Sequence, residues 1–380
     1  MEKQKVLILT ASYGNGHIQV AKTLKEECHK QGINEVIISN LFAEAHPLVN
    51  DITEYLYLKS YTIGKPLYRF FYYGMNKMYH TKILNWYYNF GKKRLISLIE
   101  AERPDFIINT FPMIVVPEFR RRSGIFIPIF NVLTDYCLHK IWLHPEIDKY
   151  YVATEDLKQK IVDFGIPESI IETTGIPIRP VFEEQILPSS LFKKYHLSPA
   201  KKVIVIMAGA HGVLKNVKEI CETLLTQTDS QIVVVCGNNT SLMLELEPLT
   251  KKFPDPLRVF GYLERVDELF RITTCMITKP GGITLTEAAA LGVPLILYKP
   301  VPGQEKENAQ YFASKGGAVI ANQLEDIYMT ISYLLNNEEA LLEMKNAMRQ
   351  IHKPHSAKNI IHDISNTVEQ LKLKRFANLS

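Results

Sequence analysis

At 380 residues the chain is about twice the size of a usual domain, so two domains of roughly 150–200 residues are expected rather than one small module. A content of 46% hydrophobic and 22% charged residues excludes a mainly disordered chain. The net charge of +4 hides an uneven distribution: residues 55–94 hold eight Lys/Arg, nine of the 19 Tyr and no acid, while the rest carries 36 Lys/Arg against 40 Asp/Glu.

In chain order, Val6–Thr10 predicts a first strand. The basic start before it resembles that of a signal peptide, but the apolar stretch runs into Tyr13-Gly-Asn-Gly-His17 instead of a small-residue cleavage site. Further strands are predicted over Glu35–Ser39, Phe106–Thr110, Ile127–Leu133 and Tyr150–Ala153, with helices over Ile18–Gln31 and Lys92–Glu102. The second half repeats the rhythm with Lys202–Ala208, Gln231–Cys236, Leu257–Phe260, Met276–Thr278 and Pro294–Tyr298. Alternating strands and helices imply an α/β protein with doubly wound parallel sheets. Thr174-Gly-Ile-Pro-Ile-Arg-Pro180, followed by polar residues to about Pro199, is the expected linker between domains at 1–178 and 179–354. Each half opens with a strand and a glycine-bearing turn, Gly14-Asn-Gly-His17 and Gly209-Ala-His-Gly212. Two such Rossmann-like domains place the carboxyl ends of their strands around a shared central cleft, where the active site is expected. No uncharged apolar run reaches the roughly 18–20 residues of a spanning helix. The five cysteines form no C-x-x-C pair, which disfavours a disulfide scaffold or zinc ribbon and makes the cytosol the default compartment.

The segment richest in chemistry is Thr278-Lys-Pro-Gly-Gly-Ile-Thr-Leu-Thr-Glu-Ala-Ala-Ala-Leu-Gly-Val-Pro294. Gly281 and Gly282 expose backbone N–H groups where a helix begins, and the helix adds about half a positive charge, so a diphosphate can sit there without a metal. Thr284 and Glu287 have the spacing of a capping box. Equally, the Glu287 carboxylate suits the two ribose hydroxyls of a nucleotide, and the two readings are compatible. Val301-Pro-Gly-Gln-Glu-Lys-Glu-Asn308 follows a predicted strand; as plain structure it is a surface turn, and as a site it offers Gln304, Glu305 and Asn308 to sugar hydroxyls.

His17 begins a helix, a position that disfavours its cation and leaves the ring able to accept a proton near neutral pH; otherwise it is a solvated or structural histidine. Asp135, within Asn131-Val-Leu-Thr-Asp-Tyr-Cys-Leu-His-Lys-Ile-Trp-Leu-His144, is expected at a strand's carboxyl end, as a working carboxylate or a turn cap. No Asp-x-Asp occurs, which disfavours metal-held nucleotide-sugar. The chain also lacks G-x-x-x-x-G-K-[ST], H-E-x-x-H and G-x-S-x-G, and its first glycine turn lacks the third glycine of a dinucleotide fingerprint.

Block 55–94 includes Tyr68-Arg-Phe-Phe-Tyr-Tyr73, Trp86-Tyr-Tyr88 and Lys92-Lys-Arg94. Ordinary helices, single-stranded nucleic acid and an anionic membrane surface each suit aromatics mixed with cations. The membrane account is preferred and nucleic acid is not expected; Arg120-Arg-Arg122 would widen the basic surface.

Gly14-Asn-Gly-His17, Thr134-Asp135 with His139 and Trp142, Pro280-Gly-Gly282 with Glu287, and Pro302-Gly-Gln-Glu305 together resemble the bacterial processive diacylglycerol glucosyltransferases of glycosyltransferase family 28. These are relatives of plant monogalactosyldiacylglycerol synthases and, more distantly, of the enzyme that adds N-acetylglucosamine to lipid I. The likeness runs in order from about residue 5 to about residue 320. It implies a GT-B glycosyltransferase whose second domain holds UDP-glucose and whose first receives diacylglycerol. Transfer with inversion gives a β-glucosyl lipid, and glucosyldiacylglycerol is then extended by β-1,6-linked glucose to make the anchor of lipoteichoic acid.

Under this resemblance His17 or Asp135 is the base, Gly14, Gly16 and Gly209 belong to the glycine turns of the site, and Gly281–Gly282 meet the leaving UDP without a metal. Glu287 holds the ribose, Tyr262 and Leu263 bracket uracil, and Gln304, Glu305 and Asn308 read glucose. The resemblance also implies a peripheral place on the cytoplasmic face of the membrane, and a tail at 355–380 that crosses back to the first domain. The plant enzymes differ before the Gly-x-Gly-His turn and use UDP-galactose, so donor identity rests on the bacterial branch. UDP-galactose or UDP-N-acetylglucosamine as donor, and a non-catalytic adaptor on the same fold, are the alternatives.

Overall fold

The structure, a computed structural model, describes residues 4–12, 15–45, 91–208 and 214–377. It divides into two compact units, Met1–Arg179 with Lys353–Ser380 and Pro180–His352.

In the first unit β1 (Lys5–Thr10), β2 (Glu35–Asn40), β3 (Phe106–Asn109), β4 (Ile129–Val132), β5 (Lys149–Val152) and β6 (Ile171–Thr173) form a parallel sheet in the order β2-β1-β3-β4-β5-β6. The intervening helices are α1 (Asn15–Lys30), α2 (Leu41–Ala45), α3 (Lys92–Glu102), α4 (Val115–Ser123) and α5 (Glu155–Asp163). The central strands are buried and mostly apolar, broken by Asn109 in β3 and Asn131 in β4, so they read as apolar runs instead of alternating. Thr154 caps α5 by accepting from Leu157 N at 3.1 Å, worth about 1 kcal/mol.

The last helix, Ser356–Ala377, belongs to this unit. It buries Ile360, Ile361, Ile364 and Val368. Its Asp363 accepts from Tyr151 Oη at 2.7 Å and lies 2.6 Å from Lys149 Nζ. The chain enters this helix past Gly175, whose φ of +82° and lack of a side chain are both required, since a Cβ there would lie 2.6 Å from Lys353 Cβ.

The second unit begins with a short turn at Pro180–Phe182 and α6 (Ser189–Lys194). Its strands, β7 (Val203–Met207), β8 (Gln231–Val235), β9 (Leu257–Phe260), β10 (Cys275–Thr278), β11 (Leu295–Tyr298) and β12 (Ala318–Ala321), are parallel in the order β12-β11-β10-β7-β8-β9. They alternate with α7 (Val217–Gln227), α8 (Thr240–Lys252), α9 (Val266–Arg271), α10 (Gly282–Leu291), α11 (Gln304–Ser314), α12 (Leu324–Asn336) and α13 (Glu338–Ile351).

Both sheets have a topological switch point, between β1 and β3 in the first and between β7 and β10 in the second. Loops leaving the carboxyl ends diverge there and open a crevice suited to a ligand.

The structure corrects the expected linker. Residues 180–199 are part of the second unit: Phe182 packs edge-on against Phe270 with centroids 5.7 Å apart, and Leu191, Tyr195 and Leu197 are buried. A polar average over that stretch concealed four apolar anchors. The strands β6 and β12 were also not expected, being short edge strands whose apolar runs are too brief to stand out. All five cysteines are free and buried. Among the described residues no helix is long and apolar enough to cross a membrane.

Candidate active site

In the first unit the switch point gathers a polar cluster around His17, in the first turn of α1. Its Nδ1 lies 2.8 Å from the Thr110 carbonyl oxygen and 2.8 Å from Thr134 Oγ1. A carbonyl can only accept, so the hydrogen sits on Nδ1, and Thr134 Oγ1 shares it as a second acceptor. The neutral ring therefore keeps its lone pair on Nε2. Thr110 is anchored in turn: its N–H donates to Leu9 O at 2.9 Å and its hydroxyl to His17 O at 3.2 Å, which joins the ends of β1 and β3. Phe111 packs edge-on against the imidazole with centroids 5.0 Å apart. Burial pushes the ring down to about 4, against the opposing pull of the Thr110 carbonyl, so it is neutral at physiological pH and able to take a proton.

Asp135 follows Thr134 in the loop after β4 and is half-buried. Two asparagines hold that loop: Asn109 Nδ2 donates to Asn131 Oδ1 at 2.8 Å, and Asn131 Nδ2 donates to Trp142 O at 2.8 Å. Neither asparagine was singled out from sequence. The available signal was an amide inside an otherwise apolar strand, which must find a partner when buried. His139 caps a short turn at Lys140–Trp142, accepting from Ile141 N at 3.4 Å, and burial pushes it too down to about 4. Gly16 lies in the first turn of α1, whereas Gly14 falls outside the described residues.

In the second unit, α10 starts at the switch point with Gly281 as its N-cap, and no side chain caps it. This corrects the capping-box reading: Thr284 is the third residue of the helix and Glu287 the sixth, too far along to cap the first turn. Glu287 is buried one turn beyond Thr284 on the same face.

Gly281 has φ −77° and ψ 133°, ordinary for any residue, and a Cβ there would meet nothing within 4 Å. The fold itself does not need this glycine. What glycine supplies is open space directly before the helix N-terminus, where the first N–H groups point outward.

Beside that opening, Gly303 precedes α11 with φ +102° and ψ −139°, a conformation essentially reserved for glycine. Gln304, the first residue of α11, is half-buried, while Glu305 and Asn308 are buried. Burial pushes the Glu305 carboxyl up, partly offset by Lys279 and the Val301 N–H. Tyr262 is exposed and Leu263 half-buried, both between β9 and α9. Gly209 lies outside the described residues.

Of the basic aromatic block, residues 55–90 lie outside the described residues. Lys92, Lys93 and Arg94 form the first turn of α3, where cations oppose the helix dipole, so helix stability does not account for them. Arg94 is paired, donating to Glu44 Oε2 at 2.7 Å and 2.9 Å, and Lys93 is exposed. The expectation that Arg120–Arg122 widen a basic surface is weakened by their partners. Arg120 pairs with Glu146 and Asp148, and both Arg121 and Arg122 pair with Glu118.

Comparison with known proteins agrees with this division. Residues 17–178 match the model of monogalactosyldiacylglycerol (MGDG) synthase, and residues 182–351 match that of glycosyl transferases group 1. A processive diacylglycerol beta-glucosyltransferase of Bacillus pumilus (strain SAFR-032) is 58% identical over 370 residues, 97% of this chain and 96% of the relative. Among solved structures, S. aureus MnaA in a co-structure with UDP aligns with TM-score 0.64 at 14% identity, covering 96% of this chain and 97% of that one. Acinetobacter baumannii MurG aligns with TM-score 0.63 at 15% identity, covering 96% and 99%. These structural likenesses carry the fold, and the sequence identity carries the family: the chain belongs to the processive diacylglycerol beta-glucosyltransferases, glycosyltransferases of the GT-B fold.

Proposed function

We propose that the protein transfers glucose from UDP-glucose to 1,2-diacylglycerol with inversion. It then adds β-1,6-linked glucose to glucosyldiacylglycerol, producing the glycolipid anchor of lipoteichoic acid. It works without a metal, as a peripheral protein on the cytoplasmic face of the cell membrane. The observation that carries the donor reading is the start of α10, an uncapped helix N-terminus with open space at Gly281. The names of the relatives support the acceptor and the sugar.

On this reading the diphosphate of UDP lies on the first turn of α10, Glu287 accepts the ribose hydroxyls, Tyr262 and Leu263 bracket uracil, and the start of α11 faces the glucose. The acceptor hydroxyl attacks the anomeric carbon opposite the leaving group. Its proton goes to Nε2 of His17, a C–O bond forms, and the anomeric C–O bond breaks with its electron pair leaving on UDP. The α10 dipole and amides stabilise that charge as it develops. Asp135 offers a carboxylate acceptor to the hydroxyls of the incoming lipid or glucolipid. Lys92 and Lys93, with block 55–94, hold the first unit on anionic lipid.

Incubation with diacylglycerol and UDP-glucose, UDP-galactose or UDP-N-acetylglucosamine, followed by mass spectrometry of the lipid, tests the reading. Mono- and dihexosyl products from UDP-glucose alone are expected. Products from another donor alone, or none, would overturn it.

A further inference from the structure

The family resemblance gives Glu305 and Asn308, with Gln304, to glucose, but the side chains of Glu305 and Asn308 are engaged with the protein itself. Asn308 is fully buried, and its Nδ2 donates to the Pro280 carbonyl oxygen at 3.1 Å, 28 residues back along the chain. Three residues earlier on α11, Glu305 Oε2 accepts from Val301 N at 2.9 Å and lies 3.7 Å from Lys279 Nζ. The Lys279 ammonium also donates to the Lys299 carbonyl at the end of β11. One face of α11 thus grips Lys279 and Pro280, the two residues before the N-cap of α10.

The consequence follows from peptide planarity. Pro280 O and Gly281 N–H share one rigid plane. Asn308 fixes the oxygen side of that plane, and the N–H side donates to Lys279 O at 2.9 Å. The plane is held at both edges, so the direction in which the chain enters α10 is set, and with it the aim of the N–H groups that follow. Proline offers no N–H of its own to brace this turn, and the side-chain clamp from α11 restrains it from outside the loop.

We infer that Asn308 and Glu305 are positioning residues for the diphosphate-binding turn, and that sugar recognition on α11 is left to its first residue, Gln304. The inference rests on the donor site proposed above. It differs in what each substitution should do: a sugar reader affects UDP-glucose alone, whereas a clamp on the phosphate turn affects every ligand that carries the diphosphate.

The test is titration of the full-length protein with uridine, UDP and UDP-glucose, comparing wild type with Asn308→Ala, Asn308→Asp and Glu305→Gln. Asn308→Ala is expected to weaken UDP and UDP-glucose by a common factor of about ten while uridine stays within about twofold. Asn308→Asp should weaken both further, because a carboxylate oxygen then faces the Pro280 carbonyl. Glu305→Gln keeps an acceptor for Val301 N, loses the charge opposite Lys279, and should show the same pattern at smaller size. A loss confined to UDP-glucose would overturn the inference, as would an equal loss for uridine in all three variants. Failure of the wild type to bind any of the three ligands would instead refute the donor site itself.

Discussion

The two helix starts at the switch points, α1 in the first unit and α10 in the second, use the same secondary structure in opposite ways. On the proposed function the working group at α1 is a side chain: His17 is fixed by the Thr110 carbonyl and Thr134 and packed by Phe111. At α10 the proposed working group is the backbone, and a Cβ at Gly281 would meet nothing within 4 Å. On that reading one site depends on protonation state and tautomer, the other on shape and dipole. Substitutions should therefore separate them, the first lowering turnover and the second lowering donor affinity.

The largest effect is expected at His17. His17→Ala should reduce turnover by about 10²–10⁴-fold, the usual worth of a general base. Asp135→Ala should also lower turnover strongly; wild-type rates in both would remove these residues from the chemistry. Because burial holds His17 at about 4, below its usual 6.5, the neutral ring persists down to about pH 4. The kcat/KM profile should therefore stay level across pH 6.5 and fall only on approaching 4. A fall centred near 6.5 would show the ring to be solvated. The same group contributes stability that is present above 6.5 and is lost as pH falls from there toward 4, since the unfolded chain takes up the proton first.

Next in size is Gly281→Ala, which should weaken UDP by about tenfold or more through lost charge-assisted contacts. At φ −77° the alanine should leave the melting temperature unchanged or slightly raised, since such a substitution gains about 0.4–1 kcal/mol through the unfolded state. A lowered melting temperature with unchanged UDP affinity would mean that the open space serves no ligand. Thr134→Val removes the second acceptor at His17 Nδ1 but leaves the Thr110 carbonyl, so a drop in kcat of about tenfold or less is expected, with KM for UDP-glucose unmoved. The smallest effect is at the membrane. Lys93→Ala should weaken sedimentation with anionic vesicles by about fivefold at low salt. Arg94→Ala should do less to vesicle binding than Lys93→Ala, because its charge is already matched by Glu44.

Much of this architecture is legible in the chain. The apolar runs of β1, β3, β7 and β10 stand out because both faces of each sheet are covered, and Gly281 stands out because a Pro-Gly-Gly run follows a strand. The contacts that tune the sites are not legible, for a topological reason. His17 meets Thr110 across 93 residues, and Asn308 meets Pro280 across 28, only because the strand order sets β1 beside β3 and β10 beside β11. Periodicity carries no record of that order. The capping box failed for a local reason: glycine starts α10 two residues before the threonine whose spacing suggested the cap.

The most direct test of the division between a side-chain site and a backbone site is calorimetric titration of UDP into His17→Ala and Gly281→Ala beside wild type. The account predicts wild-type affinity in the first and an affinity weaker by about tenfold or more in the second. Loss of UDP affinity in His17→Ala, with none in Gly281→Ala, would contradict it.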